Sequence, residues 1–255
     1  MKQLILLACL FTLTKSIFAA VSKDEYEQVK AALYQAYSEL APSQNEVLQI
    51  NLPIAGLPDS YWWDIDMIHA SYVQATNQED QIEHRIYLMG GFGRLAGMTP
   101  DGLALTACHE IGHGIGGAPK KDDPMNMGYH SSMEGQSDYF ATKDCLAIVF
   151  KYLPELREVK EKSIYKDLCS KQDKHEYFTC LRLLTAMEAD QAFFKSNGDE
   201  VSFATYSSNV ATELNTAPSF YPSAQCRFDT MINGILDLER PECWYPGGEK
   251  NGTLR

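Results

Sequence analysis

The run His109-Glu110-Ile111-Gly112-His113 sets two imidazoles four positions apart. On an α-helix that spacing puts both on one face, one turn apart, within reach of a single metal ion. Glu110 stands beside the first of them and can reach a water on that metal, taking its proton as the oxygen attacks a carbonyl carbon. Zinc, one per chain, suits the donors, because imidazole and carboxylate both bind it and it brings the pKa of its water to about 7. The bland alternative is a helix whose histidines are ordinary core or surface residues. Gly112 and Gly114 argue against it: each costs about 1 kcal/mol relative to Ala in a helix interior. Such a helix needs another reason for its glycines, and close approach of a neighbouring backbone is one.

A catalytic zinc takes a third protein ligand and keeps one position open. Downstream the chain reads Ser131-Ser132-Met133-Glu134-Gly135-Gln136-Ser137-Asp138. Glu134 and Asp138 are four apart at the start of a predicted helix, so both project to one side. Glu134 can ligate the metal while Asp138 accepts the second ring N–H of a ligating histidine. Two alternatives stay open: Ser131-x-x-Glu134 is also a capping box, and His130 could take the ligand position. The metzincin pattern would use Gly116 but needs a histidine where Pro119 stands, and proline has no donor to offer.

HEIGH, 20 intervening residues and then EGQSD resemble the HExxH and ExxxD pair of the gluzincin zinc metallopeptidases, the class that includes thermolysin and the HtpX-like and CAAX-type peptidases. The likeness covers residues 82–150. It implies a zincin-like α+β fold, zinc on His109, His113 and Glu134, Glu110 as general base and then acid, and Asp138 behind a ligand. It also implies a peptide or protein substrate, and makes the strand 81–89 the edge along which that peptide would pair. The HtpX-like and CAAX enzymes carry membrane spans, whereas no run of twenty apolar residues follows this N-terminus, so the likeness is to their catalytic core. Gluzincins also supply a Tyr, His or Arg to stabilise the oxyanion; Tyr129, His130, His175, Arg182 and Arg227 are all candidates. Two other readings compete: a secreted zinc-binding protein with a structural or partner-binding site, and a metallohydrolase acting on something other than peptides.

The elements that must hold these residues follow from local pattern. Thr99-Pro100-Asp101 combines an N-cap, a proline at the first helical position and an acid in the first turn, which predicts a helix over 100–114. Before it, the segments 64–75 and 81–89 flank the polar turn 76–80 and read as a β-hairpin, with 47–52 as a further strand. Ser22 and Glu25 cap an amphipathic helix over 24–40. The remainder reads as mostly helical, over 133–153, 155–168, 176–195 and 224–238. The result is one mixed α+β domain over 20–255, with a small sheet on its N-terminal side. His69 and His84 fall on the hairpin, where satisfied or exposed roles are expected. Cys108 faces away from the histidines, as a core or disulfide residue, and Tyr61-Trp62-Trp63 reads as packing.

Of 255 residues 45% are hydrophobic and 22% charged, enough apolar surface for a globular core. Lys and Arg number 22 against 34 Asp and Glu, a net charge of −12, which argues against nucleic-acid binding, since that requires a concentrated basic face. Lys2, an apolar run over 4–13 and small residues before position 20 form a signal peptide, cut after Ala19; cleavage before Cys9, as in a lipoprotein, would leave too short an apolar segment. The chain is therefore expected to be exported, periplasmic or secreted. Beyond Ala19 six cysteines remain, 108, 145, 169, 180, 226 and 243. An even count suits three disulfides in an oxidising compartment, and chain-local pairing suggests Cys169–Cys180 and Cys226–Cys243. Nothing in the sequence sets the oligomeric state.

Overall fold

A computed structural model describes residues 20–123 and 131–247; the signal-peptide reading of 1–19 lies outside the described residues. The first helix, α1 (Lys23–Leu40), starts at the expected capping box, Ser22 Oγ accepting from Glu25 N and Glu25 reaching back to Ser22 N. Its apolar stripe, Tyr26, Val29, Leu33, Ala36 and Tyr37 among it, is buried in the core.

Three strands follow: β1 (Glu46–Ile50), then the one-turn helix α2 (Tyr61–Asp64), then β2 (Ala70–Thr76) and β3 (Ile82–Leu88). β2 and β3 form the antiparallel hairpin that the turn predicts, and Asn77 Oδ1 holds the turn by accepting from Glu79 N and Gln81 N. The sheet order is β1-β3-β2, with β1 parallel to β3. This corrects the expectation that the strand 81–89 is an edge: β3 is central, with both sides hydrogen-bonded, and among the described residues the outer strands are β1 and β2. Alternating burial along a strand reports which face meets the core, not which side has a neighbour. The aromatic triplet packs as expected. Trp62 Nε1 donates to Leu52 O at 2.8 Å and its ring meets Tyr87, while Trp63 meets Tyr26 edge-on at 5.1 Å.

After the short turn α3 (Gly90–Gly93) comes α4 (Pro100–Ile115), the expected helix one residue longer, capped by Thr99 Oγ1 accepting from Gly102 N. It is buried along nearly its whole length. Next is α5 (Glu134–Phe140), a π-helical turn over 141–145, and α6 (Leu146–Val149), where the sequence predicted one continuous helix. Within that turn Thr142 Oγ1 bonds back to the carbonyls of Asp138 and Tyr139, and Cys145 is bridged to Cys108 of α4. The stretch 155–168 is helical only in α7 (Ser163–Cys169); ahead of it Arg157 and Lys160 reach across to Glu25 and Glu188 instead. Two long helices complete the chain, α8 (Lys174–Ser196) and α9 (Ala224–Ile235). The chain-local disulfides Cys169–Cys180 and Cys226–Cys243 are both present, leaving Cys108–Cys145 as the third. The architecture is α+β, a small three-stranded sheet and a mostly helical remainder around one buried cluster. Among the described residues no helix is long and apolar enough to cross a membrane.

Candidate metal centre

The backbone contact between α4 and α5 brings the site together. A Cβ on Gly112 would lie 3.0 Å from Ser137 Cα and 3.0 Å from Ser137 O, so glycine there lets the two helices meet at backbone distance. The chain entering α5 is pinned to the end of α4: Ser132 N donates to His113 O at 2.7 Å and Met133 N to Pro119 O at 3.0 Å. Glu134 is consequently the first residue of its helix, with Met133 as an N-cap that makes no side-chain bond. The capping-box reading of Ser131 and Glu134 is therefore not realised, and the carboxylate is free to turn toward α4.

It meets both histidines there. Glu134 Oε2 lies 3.3 Å from His109 Nε2, Glu134 Oε1 lies 3.6 Å from His113 Nε2, and the three donor groups can present ligand atoms within 4.8 Å of one another. Ligands at about 2.0–2.1 Å from a tetrahedral ion stand about 3.4 Å apart, so the spacing fits a metal held by His109, His113 and Glu134. Both outer ring nitrogens face an oxygen. His109 Nδ1 is 2.8 Å from Asp138 Oδ1, and His113 Nδ1 is 2.9 Å from Ser132 O with Ser137 Oγ at 3.0 Å. The His113 contact with Ser132 O favours the tautomer that turns its Nε2 lone pair toward the centre, whereas His109, protonated between Asp138 and Glu134, would give up its Nε2 proton to a metal. Asp138 is itself clamped by Arg227, whose Nε and Nη2 donate to its two oxygens at 2.8 Å each.

The electrostatics follow from burial and these pairs. Burial alone would discourage a proton on His109, but Asp138 and Glu134 outweigh it and lift the ring to about 10. Burial, reinforced by the neighbouring His109 charge, drives His113 down to about 3. Burial opposes the Glu134 charge, yet the two histidines and Arg227 hold its carboxyl well below the usual carboxylate range. Glu110, equally buried but without a direct partner among the described hydrogen bonds, is pushed up to about 7 by desolvation, against the pull of His109.

A cavity of about 390 Å³ opens over this group. Glu110 lines it together with the donors, the β2 residues Ala70, Ser71 and Tyr72, and the exposed His69. Lys121 Nζ also approaches Glu134 Oε1, at 2.7 Å, and stands over the ring of Tyr221, which lines the same cavity. Beneath the centre, buried His84 is held between Tyr72 Oη at 2.8 Å and Glu46 at 3.0 Å. Gly114 lies against that ring with no room for a Cβ. Cys108 is buried and disulfide-bonded.

Of the oxyanion candidates, Arg227 is at the site but committed to Asp138. Arg182 is elsewhere, buried in a bidentate pair with Asp101 at the start of α4. Tyr129, His130 and the His175 side chain lie outside the described residues. Lys121, Tyr221 and Asp190, which also lines the cavity, were missed by sequence reasoning. Lys121 sits in a polar loop and Tyr221 between helices, where no periodic or spacing signal marks them. No family model, no curated protein and no solved structure matches this chain.

Proposed function

We propose that this chain is an exported zinc-dependent endopeptidase of gluzincin type with a zincin-like fold, in which Glu110 is the general base. The observation that carries the reading is the convergence of His109, His113 and Glu134 donor atoms on one point, with Glu110 lining the same cavity. Zinc bound there would supply a Lewis acid and a water acidic enough to attack at neutral pH. Glu110, which lines the cavity beside the three donors, would take the proton of the attacking water and pass it to the leaving amine. Asp138, Ser132 and Ser137 hold the two imidazoles in register. Lys121 and Tyr221 offer an ammonium and a phenol to the charge that develops on the carbonyl oxygen. An extended substrate would lie along β2, an outer strand among the described residues, which borders the cavity. Among the described residues three donors converge beneath an open cavity, which supports catalysis over a structural role, since structural zinc is closed by a fourth protein ligand.

The test pairs metal content with turnover. The mature wild-type protein is expected to carry one zinc by mass spectrometry, to lose it in Glu134→Ala, and to keep it in Glu110→Gln. Turnover of unstructured protein and peptides should fall by about 10²–10⁴-fold in Glu110→Gln. Zinc-loaded Glu110→Gln that cleaves at the wild-type rate would remove the mechanism, and cleavage of esters but not amides would favour a non-peptidase hydrolase.

A further inference from the structure

One wall of the cavity is the α8 face carrying Asp190, Phe193 and Phe194, residues at i, i+3 and i+4. Asp190 is only 6% exposed, and its Oδ2 is buried with no hydrogen-bond partner among the described residues. The other carboxylates nearby have partners. Asp138 has both oxygens on Arg227, and Glu134 has Lys121 and the histidines. Arg227 is within electrostatic reach of Asp190 but spends its Nε and Nη2 on Asp138. Burial, reinforced by the Asp138 charge, pushes Asp190 up to about 7. A buried acceptor left unmet costs stability, and such groups persist where a ligand supplies the missing donor.

The surroundings specify the donor. Phe92 and Phe193 meet at 5.1 Å between ring centroids and Phe193 and Phe194 at 5.7 Å, and Leu105 and Met231 complete an apolar lining. Such walls accept a chain of methylenes, their aromatic faces attract a cation, and a carboxylate among them pairs with the charged tip.

We infer that Asp190 is the specificity-determining residue of a pocket for an organic cation, a primary ammonium or guanidinium on an apolar stem, so that the substrates are peptides presenting such a group. The inference rests on the peptidase reading for its substrate, but not for the binding it requires. The cation can come from a lysine or arginine side chain or from a peptide N-terminus.

The experiment titrates the zinc-loaded full mature chain, as wild type, Asp190→Asn and Glu110→Gln, with n-pentylamine, benzylamine and their neutral alcohols, followed by calorimetry and NMR. Wild type and Glu110→Gln are expected to bind the amines at least tenfold more tightly than the alcohols, and Asp190→Asn to lose that preference while keeping its zinc and its melting temperature. Equal binding of amines and alcohols by wild type, or a preference that survives in Asp190→Asn, overturns the inference. Should Asp190→Asn fail to fold, Asp190→Glu takes its place, and unchanged relative affinities across amines of increasing length overturn it equally. Peptide arms then separate the sources: Nα-acetylated peptides with an internal lysine test the side chain, and lysine-free peptides with a free amine test the N-terminus. Amine binding without cleavage of any peptide would sink the peptidase reading and leave the pocket standing. Cleavage indifferent to basic residues and to free N-termini would do the reverse.

Discussion

Replacing Gly112 with alanine tests whether the metal centre depends on the helix contact beneath it. The added Cβ would stand 3.0 Å from Ser137 Cα and O and 3.1 Å from Phe140 Cδ1. The phenylalanine ring can turn aside, but the Ser137 backbone cannot, and carbon contacts settle at about 3.5–4.0 Å. The α4 and α5 backbones must therefore part by about 0.5 Å. Metal–ligand distances tolerate only about 0.2 Å, and the two histidines lie on one of these helices and Glu134 on the other. Zinc affinity should consequently fall by about tenfold to a hundredfold, the range seen when the support behind a ligand is disturbed. Stability responds to two opposed effects. Overpacking costs about 1–3 kcal/mol, while alanine regains about 1 kcal/mol of helix propensity, so the metal-free variant should lose about 0–2 kcal/mol. Competition with a chromophoric zinc chelator gives the first quantity, and urea unfolding in the presence of a strong chelator gives the second. A Gly112→Ala protein that binds zinc as tightly as wild type and gains about 1 kcal/mol would refute the reasoning, because an unobstructed helical glycine behaves that way.

Three further outcomes are expected. Removing the buried guanidinium in Arg182→Ala should cost about 3–5 kcal/mol in urea unfolding by stranding Asp101, whereas Arg182→Met combined with Asp101→Leu should recover much of it; zinc content should survive in the double variant, since the pair lies away from the donors. Burial holds His84 below its ordinary value even though Glu46 favours its charged form. The unfolded chain then binds a proton near pH 6.5 that the native state refuses, so stability falls as pH drops below about 6.5; the wild-type slope between pH 7.5 and 5 should flatten in His84→Gln, and equal slopes would contradict this account. Loading zinc near pH 7.5 should expel at least one proton per ion, because Asp138 and Glu134 outweigh burial and keep His109 protonated without metal, and a zinc-bound water would add to that number. Calorimetry in buffers of different ionisation enthalpy measures that number, and heats independent of the buffer would count against it.

What could be read from the chain alone divides by the range of the interaction that decides it. Thr99, Pro100 and Asp101 start α4 through contacts within one turn, and Ser22 and Glu25 do the same for α1, so both helices are legible to within a residue. The histidine pair is legible because a spacing of four fixes a shared face. Glu134 marks the boundary. Within four residues it is equally a cap or a ligand, and the choice falls to Ser132 N and Met133 N, whose bonds to His113 O and Pro119 O begin the helix at Glu134. The centrality of β3 is decided by β1, more than thirty residues upstream, and leaves no trace in the alternation of β3 itself. Arg182 and Arg227 are alike as letters; each is assigned by an acid more than eighty residues away, one anchoring the start of α4 and the other clamping Asp138. The glycines of the histidine helix show how the two ranges connect. Their cost to the helix is local and visible in the sequence, while their benefit, backbone contact with Ser137 and room for the His84 ring, exists only in the folded chain. A local penalty with no local compensation therefore pointed to tertiary contacts that sequence could not name, and those contacts lie beside His109, His113 and Glu134, the group that could hold a metal.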